Sequence, residues 1–369
     1  MSDVHSAQPG MLVVAREFRS MTQADVAEAM MKASGGDAAV SQGYVSRAES
    51  GRLAVSGERL ELYAAALGYP PELLCLDPQV HGVGVGLVHH RKRASLTVSA
   101  LRRQHAHLAL TRVQLQGIAA CRPGLGVRAA AIPTVALDAL TTAKDAARQV
   151  RKAWGMPPGP AADLTASLET AGVLVVARDL GSGRLDAVSQ WDGTQPPLIL
   201  ANHHAPADRY RFSLAHELGH LVLHQSPGDS AIQERQADEF AAEFLMPARD
   251  IRSAFTPRVD LELLARLKRE WKVSMAALLR RAQSLNIVTD WQYRSVMVEM
   301  STLGYRTAEP VEIDRERPRY VPGLIRSALA AGMSEEELAR CARLLPEDFQ
   351  LLYAPREGAT VDSASKVRP

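Results

Sequence analysis

Arg211-Phe-Ser-Leu-Ala-His216-Glu217-Leu-Gly-His220-Leu-Val-Leu-His224 is the stretch of this 369-residue chain that decides how the rest is read. On a helix, residues i and i+4 lie on one face about one turn apart, so His216 and His220 can grip one ion together. Glu217, one step round, faces the side that two imidazoles leave open, where it can take a proton from water. Phe212, Leu214, Ala215, Leu218, Leu221, Val222 and Leu223 make this helix apolar on most sides. It is expected to be buried, and buried His and Glu side chains need partners. A catalytic zinc supplies them, but it requires a third protein ligand and one open position.

The next helical stretch offers Glu234, Asp238, Glu239 and Glu243. Glu234 and Asp238 are again i, i+4 and share a face, whereas Glu239 points roughly 100° away from Asp238. Glu234 is taken as the third ligand. Asp238 is taken to accept a hydrogen bond from the free ring nitrogen of a ligating His and so to fix its tautomer. His224 is a rival ligand, but eight residues of helix advance about 12 Å, too far for one ion to bond both His216 and His224. A satisfied core or surface role suits it better, with capping the helix or touching substrate as the other roles open to it. With one zinc per chain and Glu217 as general base, the expected chemistry is metal-assisted peptide hydrolysis. His203, His204, Tyr210 and Arg211 are nearby candidates for stabilising the oxyanion, and nothing singles one out. An extended substrate can add as a strand to a small sheet.

Outward from this stretch the periodicity is mostly helical. Three β-rich runs at 173–177, 187–191 and 198–201, separated by Gly and Pro, predict that small sheet. Helices are predicted over 138–154, 161–171, 208–224, 231–246, 260–285, 292–302 and 320–354, with Ser334 and Glu337 as a capping box in the last. In front, apolar residues at helical spacing through 11–75 are broken into five short helices. Thr22 with Asp25 opens a helix over 23–31, and 34–37 is a loop. Ser41 caps a helix over 42–49 that Gly51 closes, and Leu60, Leu62, Ala65 and Leu67 carry the next one to Gly68. Gly-rich residues 79–88 read as a linker, 96–121 as a basic helical stretch, and the last dozen residues as disordered.

At about 150 residues per domain the length suggests two or three domains. Hydrophobic content of 46% against 23% charged is enough to fill real cores. No apolar run approaches the ~18 residues of a membrane span, and the N-terminus lacks the charged start and apolar core of a signal peptide. Cys75, Cys121 and Cys341 lie far apart and match neither a disulfide framework nor a Cys-x-x-Cys site, so a reducing cytoplasm is expected. The net charge of +2 conceals an asymmetry: residues 78–137 carry +8 and no Asp or Glu, while residues 1–77 carry −4.

The stretch at 211–224, followed by Glu234-Arg-Gln-Ala-Asp-Glu-Phe-Ala-Ala-Glu-Phe-Leu-Met-Pro247, resembles the ImmA/IrrE metallopeptidase family over about 138–295, including 267–275. The resemblance implies two His ligands and a Glu, which map to His216, His220 and Glu234. Many members carry Glu where this chain has Gln236, which leaves Glu234 as the carboxylate. It also implies a protein substrate, a helix-turn-helix repressor whose cleavage relieves repression. Separately, Met21-Thr-Gln-Ala-Asp-Val-Ala27 and Ser41-Gln-Gly-Tyr-Val-Ser-Arg-Ala-Glu-Ser-Gly51 resemble the second and recognition helices of the XRE (Cro/CI-type) helix-turn-helix domain. By position, Ser41, Gln42, Tyr44, Ser46 and Arg47 would face operator DNA, Gln23 would hold a phosphate, and Val45 and Ala48 would pack inward. The basic segment could add attraction for DNA that the −4 front lacks. The loop from Lys32 to Val40 departs from the short turn of the motif.

The expected fold is mainly α with a small β-sheet. An all-α helix-turn-helix domain (1–78) and a basic linker and helix (79–137) precede an α+β zincin-like metallopeptidase domain (138–295). A C-terminal helical region with a disordered tail (296–369) follows. Besides an interaction module whose front domain pairs with a related domain on the target repressor, two functions are carried forward, with a homodimer possible for either. One is a zinc endopeptidase that cleaves a repressor. The other is a DNA-binding regulator whose peptidase domain is a metal-dependent sensor with little or no turnover.

Overall fold

The computed structural model describes residues 6–36, 39–79, 87–92, 97–121, 130–181, 185–226, 230–255 and 258–353. The front of the chain forms α1 (Pro9–Phe18), α2 (Gln23–Ala33), α3 (Gln42–Glu49), α4 (Glu58–Leu67) and α5 (Pro71–Leu74). Local chemistry sets most of these ends. Thr22 and Asp25 form a capping box on α2, Ser41 Oγ accepts from Tyr44 N at the start of α3, and Gly68 ends α4 in the left-handed region. Each of the two side-chain N-caps contributes roughly 1 kcal/mol.

Next come β1 (Leu87–Lys92), α6 (Val98–Ala120), α7 (Ala143–Ala153) and α8 (Leu164–Thr170), then β2 (Leu174–Arg178), β3 (Leu185–Trp191) and β4 (Leu198–Asn202). The sheet order is β1-β3-β4-β2; β2 and β4 are parallel and the other two pairs antiparallel. A strand over 87–92 was not expected, since the Gly-rich reading of 79–88 signalled only a linker; residues 80–86 lie outside the described ones. Helix α7 starts at 143, not 138. The Asp138 carboxylate accepts from Leu140 N and Thr141 N and folds that stretch into a turn, and Thr142 with Asp145 then caps the helix.

After the sheet come α9 (Ala207–Leu223), α10 (Ser230–Leu245), α11 (Ala248–Ile251), α12 (Leu261–Trp271), α13 (Met275–Ser284), α14 (Asp290–Thr302), α15 (Tyr320–Ala330), α16 (Glu335–Cys341) and α17 (Pro346–Tyr353). The single helix expected over 260–285 is two. Lys272 turns left-handed at φ 54° and Ser274 caps α13. The long piece at 320–354 is three, with Ser334 and Glu337 forming the box that opens α16. The tail from 354 on lies outside the described residues.

The sheet is a wall between two cores, and strand alternation shows it. Leu174, Val176, Val188, Leu198 and Leu200 join a core shared with α1–α6 and α15–α17. Val175, Ala187, Ile199 and Ala201 join the other, with α7–α10, α12 and α13. The helix-turn-helix part is therefore not a free appendage. Helix α1 packs on α6, Phe18 stacks on His107 at 4.3 Å, and Arg19 pairs with Asp348 of α17.

Most of helix α6, within the basic segment, is buried from Gln104 to Ile118, while Arg102 is exposed. Arg112 is buried and donates to the Pro196 carbonyl at 3.0 Å and to Gln190. The cysteine reading also needs correction. Cys121 at the end of α6 and Cys341 at the end of α16 form a disulfide, Cα to Cα 6.2 Å, while Cys75 is free. Their 220-residue separation hid the pair, because only folding brings the two helix ends together. Among the described residues no helix is long and apolar enough to cross a membrane.

Candidate metal centre

Helix α9 runs through the second core and buries His216, Glu217 and His220 almost completely. A helix this apolar all round is stable only inside, and a strap of chain from 305 to 319 helps hold its front half. Lys268 donates to Asp208 and Glu309, both at 2.7 Å. Arg211 pairs with Glu316 and with the Ala161 carbonyl. Arg315 donates to the carbonyls of His203 and Ala205. Each of the four oxyanion candidates has a partner of its own in the structure. Arg211 is held by Glu316 of the strap, Tyr210 packs under the Arg315 guanidinium at 4.8 Å, and the His203 and His204 rings lie 4.0 Å apart, tilted by 48°.

Helix α10 packs on α9 at Gly219. A Cβ there would lie 3.2 Å from both Ala237 Cα and Phe240 Cβ, so the bare glycine sets how near the helices come. The approach brings Glu234 over the two imidazoles. His216 Nε2 and His220 Nε2 are 3.1 Å apart. The Glu234 carboxylate lies 3.3 Å from the first and 3.4 Å from the second. Tetrahedral zinc with bonds of ~2.0–2.1 Å spaces its ligand atoms about 3.3 Å apart. His216, His220 and Glu234 thus form a group able to hold a metal ion, and its spacing and N/O donor set fit zinc.

The surroundings tune these groups. Burial pushes His220 down to about 4, which favours the neutral imidazole that a metal needs. Burial opposes ionisation of Glu234, yet hydrogen bonds to His216 and His220 outweigh it and hold the carboxyl down to about 2. His216 Nδ1 lies 2.9 Å from Asp238. His220 Nδ1 lies 2.9 Å from His224, whose Nε2 meets Gln236 at 3.0 Å. Ser189 Oγ, on β3, donates to Glu217 Oε2 at 2.6 Å.

Sequence reasoning missed His224 with Gln236 as the partners of His220, although the i, i+4 spacing of His220 and His224 was a usable signal. It had no signal for Ser189. Of the other carboxylates considered, Glu243 sits in a buried ion pair with Arg281 and also binds Arg148 at 2.9 Å. Glu239 lines a cavity of about 1140 Å³ together with Asp238, Arg235 and Arg280.

In the front domain, Gln42 Nε2 donates to Gln23 Oε1 at 2.7 Å, and Gln23 Nε2 donates to Glu49 at 2.9 Å. Arg16 also pairs with Glu49, at 2.6 Å. Ser41, Gln42 and Arg47 are exposed, Ser46 is half-buried, and Val45 and Ala48 are in the core. Tyr44 is half-buried, with Arg59 over its ring at 5.4 Å.

A buried His-Glu-x-x-His helix, crossed by a sheet and completed by a carboxylate from the next helix, defines a metallopeptidase-like domain. Residues 168–283 match the peptidase family model described as an IrrE N-terminal-like domain, and residues 15–74 match the helix-turn-helix model. The chain is thus a fusion of an XRE-type helix-turn-helix domain with an IrrE N-terminal-like domain. No curated protein matches it.

Proposed function

We propose that this chain is a zinc-dependent endopeptidase, one zinc per chain, with a DNA-binding domain. It cleaves a helix-turn-helix repressor to control transcription, and the DNA-binding domain, not the cysteines, is what argues for work in the cytoplasm. The observation that carries the reading is the 3.1–3.4 Å triangle of His216, His220 and Glu234 beside a fully buried Glu217. When bound, zinc lowers the pKa of water toward ~7 and polarises a carbonyl. His216, His220 and Glu234 are the residues that would hold it. Asp238 and His224 orient the two imidazoles by their second ring nitrogens. Ser189 holds one Glu217 oxygen, which keeps the carboxylate aimed while it accepts a proton from water and returns it to the leaving amine.

Metal content by mass spectrometry on the unaltered chain and on Glu234→Ala is the test. The expected result is one zinc in the first and a large loss in the second. Full occupancy in Glu234→Ala would assign the third ligand elsewhere, and no zinc in either would remove the enzyme.

For the front domain we assign the DNA-facing surface to Gln23, Ser41, Gln42, Tyr44, Ser46 and Arg47. The Gln42–Gln23 bond couples a base-reading position to a phosphate-holding one. Arg47→Ala is expected to weaken binding to a duplex selected from random DNA by about 1–3 kcal/mol. Unchanged affinity in an anisotropy titration at moderate salt would clear Arg47 of that role. One observation favours a second reading, a DNA-binding regulator using the peptidase domain as a metal sensor. The helix-turn-helix domain and one face of the sheet share a single core.

A further inference from the structure

Strand β1 comes from the stretch between the helix-turn-helix domain and α6, yet it completes the sheet beside the metal centre. It runs antiparallel along β3, with Leu87 opposite Trp191, Val88 opposite Gln190, His89 opposite Ser189 and His90 opposite Val188; the register breaks before Lys92, opposite Leu185. Ser189 is the residue whose hydroxyl holds Glu217. Helix α9, which carries Glu217, His216 and His220, packs against both β1 and β3.

The opposite edge of β3 is taken by β4. A strand offers its unpaired N–H and C=O groups only along its edges, so an extended peptide joining this sheet beside Glu217 has one place to lie. Residues 87–92 already lie there.

We infer that residues 87–92 are a tethered occupant of the substrate edge, a segment of the chain's own linker that competes with peptide substrate for β3. The inference rests on the peptidase reading above for the identity of that edge. A short tether gives such a segment an effective concentration of order mM. An external peptide must therefore outcompete it, and weak or transient substrates are excluded. This self-competition raises KM and leaves turnover of a bound peptide unchanged.

The test uses the zinc-loaded full chain and its Val88→Pro/His89→Pro variant. Successive residues of a strand direct their N–H groups to opposite edges, so two prolines remove one ladder donor whichever faces β3. The probe is a fluorescently tagged, capped Leu-Val-His-His-Arg-Lys hexapeptide. It is expected to bind the variant at least about ten-fold more tightly than the unaltered chain, because mM self-competition is lifted. Equal affinity overturns the inference.

Cleavage of a quenched-fluorescence peptide library is read separately, with KM expected to fall in the variant and kcat to change little. A gain in hexapeptide binding without any cleavage leaves the occupant in place and removes the peptidase. Cleavage with equal KM and equal hexapeptide affinity removes the occupant alone.

Hydrogen exchange needs no substitution and so stands even where the proline variant does not fold. In the unaltered chain, the untagged hexapeptide at about 10 mM, above the tether's effective concentration, is expected to speed exchange of the amides at 87–92. Exchange at 198–202 should not change. Exchange at 87–92 that is indifferent to the hexapeptide overturns the inference.

Discussion

Glu217→Gln is expected to keep its zinc and lose peptide cleavage by about 10²–10⁴-fold, the usual worth of a positioned general base. That loss corresponds to roughly 3–5 kcal/mol of barrier. The substitution is nearly isosteric, and the amide oxygen can still accept the Ser189 hydroxyl that now bonds Glu217 at 2.6 Å. Packing around this fully buried position should hold. What disappears is only the capacity to take a proton. Matched measurements of zinc content and kcat/KM on the two proteins check it. Turnover within a few-fold of the unaltered chain would mean that another group is the base.

The second large effect is structural. Glu243 pairs with Arg281, each side chain 2% exposed, and also binds Arg148 of α7. It joins α7, α10 and α13 around the helix that supplies Glu234. Glu243→Leu leaves the Arg281 guanidinium buried with its carboxylate gone, although its Nε still donates to the Met246 carbonyl. Breaking a buried pair from one side typically costs about 3–5 kcal/mol, and urea unfolding followed by tryptophan fluorescence should show a loss of that size. Adding Arg281→Met should restore much of it, since replacing both charges by apolar groups is often neutral. A loss under about 1 kcal/mol in the single variant would mean that the charge reaches water.

These two carboxylates show what could be read in advance. Glu217 was legible because its chemistry is local. Its position follows from a five-residue spacing on one helix, as do the pairing of His216 with His220 and the shared face of Glu234 and Asp238. Glu243 was one more acid among four on the next helix. Its partners Arg148 and Arg281 lie 95 and 38 residues away, and no period reports such distances. The caps at Thr22, Ser41 and Ser334 were readable for the same reason as Glu217, since each acts within three residues. The helix expected over 260–285 failed at Lys272. A left-handed lysine is unfavourable in isolation; here α12 packs against α13 and Lys272 Nζ donates to the distant Ala162 carbonyl.

The sequence alone therefore determined the helix-turn-helix front, the small sheet and the two imidazoles with their base, because each depends on spacing along a single element or on capping across one turn. Tertiary structure decided the rest. It placed Ser189 on Glu217, His224 behind His220, and Cys121 beside Cys341. It buried Arg112 of the basic helical stretch, and it laid residues 87–92 along β3. Each of these depends on which elements become neighbours. That is set by burying both faces of the sheet at once, a condition on the whole chain that no local stretch carries.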